Sequence, residues 1–268
     1  MRQATVESYS RIAVFGGVYS NHIALDAVIR DARGRGAEQI FCLGDLGAFG
    51  PSPDKVFPLL DQHDIQVMRG NYDDSVGRGL GDCQCGYTDP RDNYFAAISY
   101  DYTFTNTSIA HREWLNTLPT EFRFRLGRLD TLCCHGSPRQ MNEFLWESAT
   151  PTHFLQKLAR DFDCDVLLGT HTGLHWQRRI GPNKWYVNVG AIGRPANDGR
   201  TDIWYTMIEA TGSAMKAEFV ALPYDHESLA DEMRDEHLPE EFIATIRTGW
   251  WTTCLEVLPA KERLRGKF

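Results

Sequence analysis

The feature that most constrains this chain is a repeated β–turn–α rhythm in its first two-thirds. Short apolar runs are each broken off by glycine and a polar residue, and each is followed by a helical pattern. Arg11–Phe15 (RIAVF) runs into Gly16-Gly17 and then an amphipathic stretch from 21 to about 33. Residues 39–43 (QIFCL) end at Gly44-Asp45, and 65–68 (IQVM) lead into Arg69-Gly70-Asn71-Tyr72-Asp73. Such alternation predicts an α/β fold around a mainly parallel, buried sheet. In sheets of that kind ligands gather outside the carboxyl ends of the strands, so the polar residues just after each run are where chemistry is expected.

Beyond a turn-rich excursion at 74–92, two helical patterns follow, with Trp114, Leu115 and Leu118 expected in the core. Strands then dominate, at 121–126, 129–134, 165–168, 175–180, 185–189, 203–208 and 215–221, interrupted by a helix near 154–162. The tail from 227 reads as two helices with an aromatic pair, Trp250-Trp251, whose expected roles are core packing or a subunit interface, with a lid over the strand-end edge as the alternative. No repeat or low-complexity linker divides the chain. The expected organisation is a main domain over 1–222 carrying a helical extension over 223–268.

With 42% hydrophobic and 24% charged residues in 268, the chain is not disordered as a whole. No apolar run approaches the ~18 residues of a membrane span. The first ten residues contain no apolar stretch of the secretory type, and a cytoplasmic location is the expectation. A net charge of −8 disfavours a nucleic-acid polymer as ligand but permits a local cationic pocket for a small phosphate. Seven cysteines, an odd number, fit reduced thiols better than a disulfide scaffold. Cys83 and Cys85 in DCQCGY lack a second cysteine pair for zinc and read as free thiols on a loop.

Four strand ends carry metal-ligating side chains: Asp45, Asn71, His135 and His171. Any one of them could simply cap its own turn. Four at successive strand ends point to a shared ion, and a carboxylate, an amide oxygen and two imidazoles suit Mn, Fe or Zn.

Five ordered segments give the chain a family likeness: GDLGAFGPSP (44–53), RGNYDDSVG (69–77), CHGSPR (134–139), THTGLHW (170–176) and VNVGAIGRP (187–195). Over about residues 11–222 it resembles the calcineurin-like metallophosphoesterases, and the GNYD element with its cysteine-containing loop is similar to one bacterial subgroup. The resemblance implies two packed mixed β-sheets flanked by helices, a four-layer sandwich. It also implies one metal held by Asp45, Asn71, His135 and His171. A second metal would share Asp45 and need ligands at positions 17, 19 and 173. Gly17, Tyr19 and Gly173 stand there, so one divalent ion per chain is expected. His22, His175 or a phenolate from Tyr19 could rebuild the second position, although a helix start and a strand face are the plainer readings of the two histidines.

With one ion, cationic side chains must supply the missing charge. Arg139 and Arg194, in the motif loops, are the candidates for gripping phosphate, with Arg69 third. Tyr72 takes the place where the family often has a histidine assisting the leaving group. With an ordinary pKa of about 10 it is a proton-bearing hydrogen-bond donor. The expected activity is hydrolysis of a small phosphate ester or diester. The competing expectation is a non-catalytic descendant binding a metal and a phosphate-bearing ligand. Homo-oligomerisation stays open.

Overall fold

A computed structural model describes residues 7–264. In chain order its elements begin with β1 (Ser8–Tyr9), β2 (Arg11–Phe15), α1 (His22–Gly34), β3 (Gln39–Cys42), α2 (Val56–Gln62), β4 (Gln66–Val67) and α3 (Asn71–Arg78). Then come α4 (Pro90–Asn106), α5 (Ile109–Leu115), β5 (Phe122–Leu126), β6 (Leu129–Cys133), α6 (Thr152–Asp161) and β7 (Val166–Gly169). The last are β8 (His175–Gly181), β9 (Lys184–Val189), β10 (Ile203–Thr211), β11 (Ala214–Leu222), α7 (His226–Asp235), α8 (Glu240–Thr248) and α9 (Ala260–Arg263).

The strands form two sheets, one ordered β11-β10-β2-β3-β4 and one ordered β1-β5-β6-β7-β9-β8. Both are mixed: β2, β3 and β4 run parallel, β10 joins β2 antiparallel, and β7 pairs parallel with β6 and β9. The two packed mixed sheets implied by the family likeness are thus present, and the parallel pairing expected from the β–turn–α rhythm forms the centre of each. The antiparallel margins come from hairpins of the second half. The two-residue strand β1, too short to carry a pattern, was not legible beforehand.

Side-chain alternation explains the layering, because successive residues of a strand face opposite sides. Ile12, Val14 and Phe41 point into the space between the sheets and meet Phe124, Leu126, Val166 and Leu168 from the other sheet. Ala13, Phe15, Ile40 and Cys42 point outward onto α1 and α2. Leu132, Leu167 and Tyr186 face α6 through Leu155 and Leu158. The result is helix, sheet, sheet, helix: an α/β sandwich of two mixed sheets flanked by helices. Helices α7 and α8 bury Leu229, Met233, Phe242 and Ile246 against Phe95 of α4.

Two local expectations are corrected. Trp114 is not a core anchor: it is 37% exposed at the end of α5, edge-on to Phe57, while Leu115 and Leu118 are buried. The excursion at 74–92 begins inside a helix, since α3 extends to Arg78 and is closed by Gly79 in the left-handed region. Among the described residues no helix is long and apolar enough to cross a membrane.

Candidate metal centre

The exits of β3 and β4 lie side by side, and glycines let them touch. Gly44 has φ +92°, and a Cβ there would stand 2.3 Å from the backbone nitrogen of Gly70. A Cβ on Gly70 would in turn fall 2.3 Å from Asp45 Oδ1 and 2.8 Å from His135 Cε1. Only a side chain of hydrogen allows that approach. Asp45 itself adopts φ 61°, and three backbone N–H groups around it are gathered by one carboxylate. Asp73 accepts from Asp45 N at 2.7 Å, Leu46 N at 2.9 Å and Gly70 N at 2.8 Å. Burial and the charge of Asp45 push the Asp73 pKa up to about 6 against those donors. Asp73 therefore shapes the turn.

Asp45, His135 and His171 converge at the sheet edge, all buried, with one donor atom from each inside a 4.8 Å group. His135 Nε2 lies 3.2 Å from Asp45 Oδ2 and 3.2 Å from His171 Nδ1. Ligands held at about 2.0–2.2 Å from a common ion stand roughly 3.0–3.6 Å apart, so the spacing suits a shared cation. The other ring nitrogen of His135 meets the Leu43 carbonyl oxygen at 2.6 Å, which orients the ring as outer partners of metal-binding histidines do. Asn71 opens α3 beside them. Its amide Nδ2 donates to the Cys83 carbonyl at 2.8 Å, and its Oδ1 is buried with no hydrogen-bond partner. A buried acceptor left unpaired is costly unless something fills it, and a cation would.

The protonation states agree. Burial raises the Asp45 carboxyl, but His135 outweighs it and holds the pKa below the ordinary range. His135 moves the opposite way: burial depresses it and Asp45 raises it above its usual value. Burial and then His135 push His171 down to about 3, leaving its imidazole neutral, the form in which a histidine can ligate a metal.

The three positions expected to have lost a second metal are filled by protein. A Cβ on Gly17 would meet the Tyr19 ring at 2.6 Å. A Cβ on Gly173 would meet the Trp251 ring at 3.2 Å and Arg194 Nη2 at 3.8 Å. The Arg194 guanidinium is only 8% exposed and has no carboxylate within ion-pair reach among the described residues. It lies over three rings, 3.5 Å from the centroid of Trp251, 4.7 Å from Phe49 and 5.6 Å from Tyr19. Trp251 is itself tied down, its indole donating to Pro195 O at 2.6 Å and its backbone N–H to Asn197 Oδ1 at 2.9 Å. Burial drives the Tyr19 phenol well above its usual range in spite of Arg194, so it stays protonated.

Arg194, Tyr72, Asp45 and His171 line one cavity; Trp251 and Val257 of the C-terminal extension help close it. The Tyr72 hydroxyl sits 3.0 Å from Ser99 Oγ, and burial keeps it protonated. Arg139 does not line that cavity. It is exposed, paired with Glu143 and laid over Phe154. Arg69 pairs with Asp74 at 3.2 Å. Neither spare histidine joins the cluster: His22 faces Glu232 at 3.5 Å, and His175 is stacked between Trp204 and Phe219. Phe49 and Tyr87 were missed by sequence reasoning, and Trp251 was singled out there without a place, since nothing local to an aromatic residue tells which distant loop it will cover.

Cys83 and Cys85, expected as free thiols, are joined in a disulfide. Gln84 between them adopts φ 54°, with its N–H donating to Asp82 Oδ1 at 2.8 Å. That turn brings the two Cα atoms to 5.3 Å, a separation a disulfide spans. The other five cysteines are buried and free.

Residues 11–211 match the family model described as the calcineurin-like phosphoesterase superfamily domain. The chain belongs to that superfamily. A protein of Methanocaldococcus jannaschii named uncharacterized protein MJ0912 is 24% identical over 245 residues, covering 86% of this chain and 95% of its own. Among solved structures, a metallophosphoesterase from Sphaerobacter thermophilus superposes with a TM-score of 0.70 at 24% identity, covering 90% of this chain and 99% of that one. The hypothetical protein PH1004 from Pyrococcus horikoshii OT3 gives 0.73 at 22%, with 89% and 98% coverage. These likenesses support the two-sheet fold over nearly its whole length.

Proposed function

We propose that this superfamily member is a phosphoesterase that hydrolyses a small phosphate ester or diester with one divalent ion, Mn, Fe or Zn. The observation that carries the reading is the convergence of Asp45, His135 and His171, together with the unpaired, buried Oδ1 of Asn71, whose neighbour Tyr72 donates its backbone N–H to Asp45 Oδ1. Those four side chains would hold the ion, which when bound polarises a phosphoryl oxygen and lowers the pKa of water. Arg194 supplies the fixed positive charge where a second ion would otherwise be needed, gripping phosphoryl oxygens from its aromatic cage. Tyr72, neutral and facing the same space, donates a hydrogen bond to the oxyanion or the leaving oxygen. Arg139 enters this reading only by exchanging Glu143 for a phosphate oxygen as substrate arrives. The second seat is degenerate on this account because Tyr19 and Trp251 occupy it. The segment 223–268 is then an extension that completes the cavity wall, on a main domain of 1–222.

One observation favours the rival reading of a non-catalytic binder of metal and phosphate. The cavity is narrow: the space open to the centres of water-sized spheres is about 40 Å³, against the roughly 10–15 Å³ that one water needs on that measure, so it holds a few waters and a bulkier ester enters only as the wall opens. Metal analysis of protein purified without added ions, combined with a phosphoester screen, separates the two. One equivalent of ion with turnover that disappears in Asn71→Ala supports the enzyme. One equivalent with no turnover on any ester class supports the binder, and two equivalents refute the one-ion account.

A further inference from the structure

The loop that carries the disulfide separates two spaces. On its inner side Cys83 and Cys85 line the cavity that contains Asp45 and His171. On its outer side the same two cysteines line an open groove of about 410 Å³, with Gln84, Asn93 and Asn142 around it. Tyr87 and Ala96 also face both, so this stretch is the partition between solvent and the metal centre. Cys83 is buried while Cys85 is half-buried, which leaves Cys85 Sγ the more approachable sulfur. The partition is fastened at both ends. Asn71 Nδ2 donates to the Cys83 carbonyl at 2.8 Å and stands 3.7 Å from Cys85 Sγ. At the other end Glu256 accepts from the backbone N–H of Thr88 and of Asp89, each at 2.7 Å, and from the Thr88 hydroxyl. The disulfide lies between those two anchors.

We propose that Cys83–Cys85 is a thiol–disulfide exchange site for a dithiol reductant arriving through the outer groove, and that its redox state governs entry to the metal cavity. A thiolate of the dithiol attacks Cys85 Sγ. The Cys83–Cys85 bond breaks, a mixed disulfide forms on Cys85, and Cys83 leaves as a thiolate that takes up a proton. The second thiol of the reductant then attacks its own sulfur partner in the mixed disulfide and releases Cys85. Two electrons and two protons pass to the protein, and the dithiol becomes an internal disulfide. Without the cross-link nothing covalent holds Gln84 in its left-handed turn, so the partition between the two anchors loosens. The cavity then opens toward the groove, and the Asn71 amide loses a fixed partner. The proposal concerns the wall alone, so it can stand or fall separately from the ester chemistry.

The test reads the wall directly, in ion-free protein purified without reductant. Peptide mass spectrometry after alkylation under native conditions establishes whether Cys83 and Cys85 are linked. Diethylpyrocarbonate acylation of His171 is then timed before and after treatment with dithiothreitol and its removal under argon. Exposed His153 serves as the internal reference. The expected result is a linked pair, slow acylation of His171 when oxidised, and a several-fold faster rate when reduced, with His153 unchanged. A Cys83→Ser/Cys85→Ser variant should react at the fast rate in both conditions. Full alkylation of both cysteines in untreated protein, equal His171 rates in the two states, or a slow serine variant each overturn the proposal. None of these readings depends on bound ion or ester turnover.

Discussion

If Trp251 occupies the room that a ligand at position 173 would need, then Gly173→His and Trp251→Ala must be coupled. The new Cβ would lie 3.2 and 3.3 Å from two ring carbons of Trp251, and the imidazole beyond it has to pass that ring. Overpacking of this kind costs about 1–3 kcal/mol. Position 173 also has φ +72°, which adds about 1–2 kcal/mol for any residue with a Cβ. Gly173→His alone should therefore destabilise by about 2–5 kcal/mol, or roughly 4–20 °C in Tm at about 2–4 °C per kcal/mol for a domain of this size. Trp251→Ala alone empties a buried site and should cost about 3–5 kcal/mol. In the double variant the steric part vanishes while the backbone part remains, so the sum should be undershot by about 1–3 kcal/mol. Urea melts of the four proteins measure this cycle, and additivity within about 0.5 kcal/mol would refute the placement of Trp251. The same logic extends to metal content. Gly17→Asp/Tyr19→His/Gly173→His should still carry one ion, and a second should bind only when Trp251→Ala is added.

Asn71→Ala should weaken Mn or Zn binding by on the order of 100-fold in calorimetric titration, at the upper end of what outer-shell changes cost; unchanged affinity would remove Asn71 from the ligand set. Asp73→Asn offers one accepting oxygen where the carboxylate gathers three backbone N–H groups, and should cost about 1.5–3 kcal/mol in urea melts and reduce metal affinity with it. Arg194→Met should abolish binding of inorganic phosphate while metal content stays at one equivalent; retained phosphate affinity would move the anion site elsewhere. For ion-free protein, the raised pKa of His135 means that its contribution to folding is complete below its ordinary value of 6.5 and is lost as pH rises through the raised value. Asp45, whose pKa is lowered, contributes above its ordinary value of 3.8 and loses that contribution as pH falls through the lowered one. The Tm of chelated protein should thus fall as pH climbs past the raised His135 pKa, and added divalent ion should offset the fall. A Tm that rises through that window would show that Asp45 and His135 do not pair.

Much of the site was legible because its ligands lie where strands stop. RIAVF, QIFC and VLLG are apolar on both faces after any polar residue at the entry, so polar residues gather at the strand ends, and the exits of parallel neighbours are adjacent in space. The nearness of His135 and His171 follows from that rule, since β6 and β7 are parallel neighbours, whereas Asp45 leaves β3 of the other sheet and reaches them only through the packing of the two sheets. The two arginines show where the rule ends. Arg139 and Arg194 both lie in motif loops, but Glu143 four residues on holds the first at the surface, and Trp251 fifty-seven residues on buries the second. Glu143 is within local reach of a reader; Trp251 is not. The cysteine pair failed for a third reason, because composition argued about the compartment while the outcome was decided by one left-handed residue, Gln84.

A guanidinium buried among three rings, without a counter-ion among the described residues, carries a desolvation cost that cation–π contact only partly offsets, at about 2 kcal/mol or more per desolvated contact. Burying it there is disfavoured unless the site gains something by it, and an incoming anion is what such a charge best accommodates. The same cage also fills the space around positions 17, 19 and 173, so holding Arg194 and leaving no room there for further ligands are two effects of one set of side chains. Removing the cage one wall at a time should then separate the two effects. Phe49→Leu, which touches Arg194 and the Tyr19 ring but is not among the atoms that crowd Gly17 or Gly173, should weaken phosphate binding and leave the ion count at one. Trp251→Ala should weaken phosphate binding and also make position 173 available to a new ligand. If Phe49→Leu leaves phosphate affinity at the parent value, the aromatic walls do not set the charge of this cavity, and Arg194 has to be explained by packing alone.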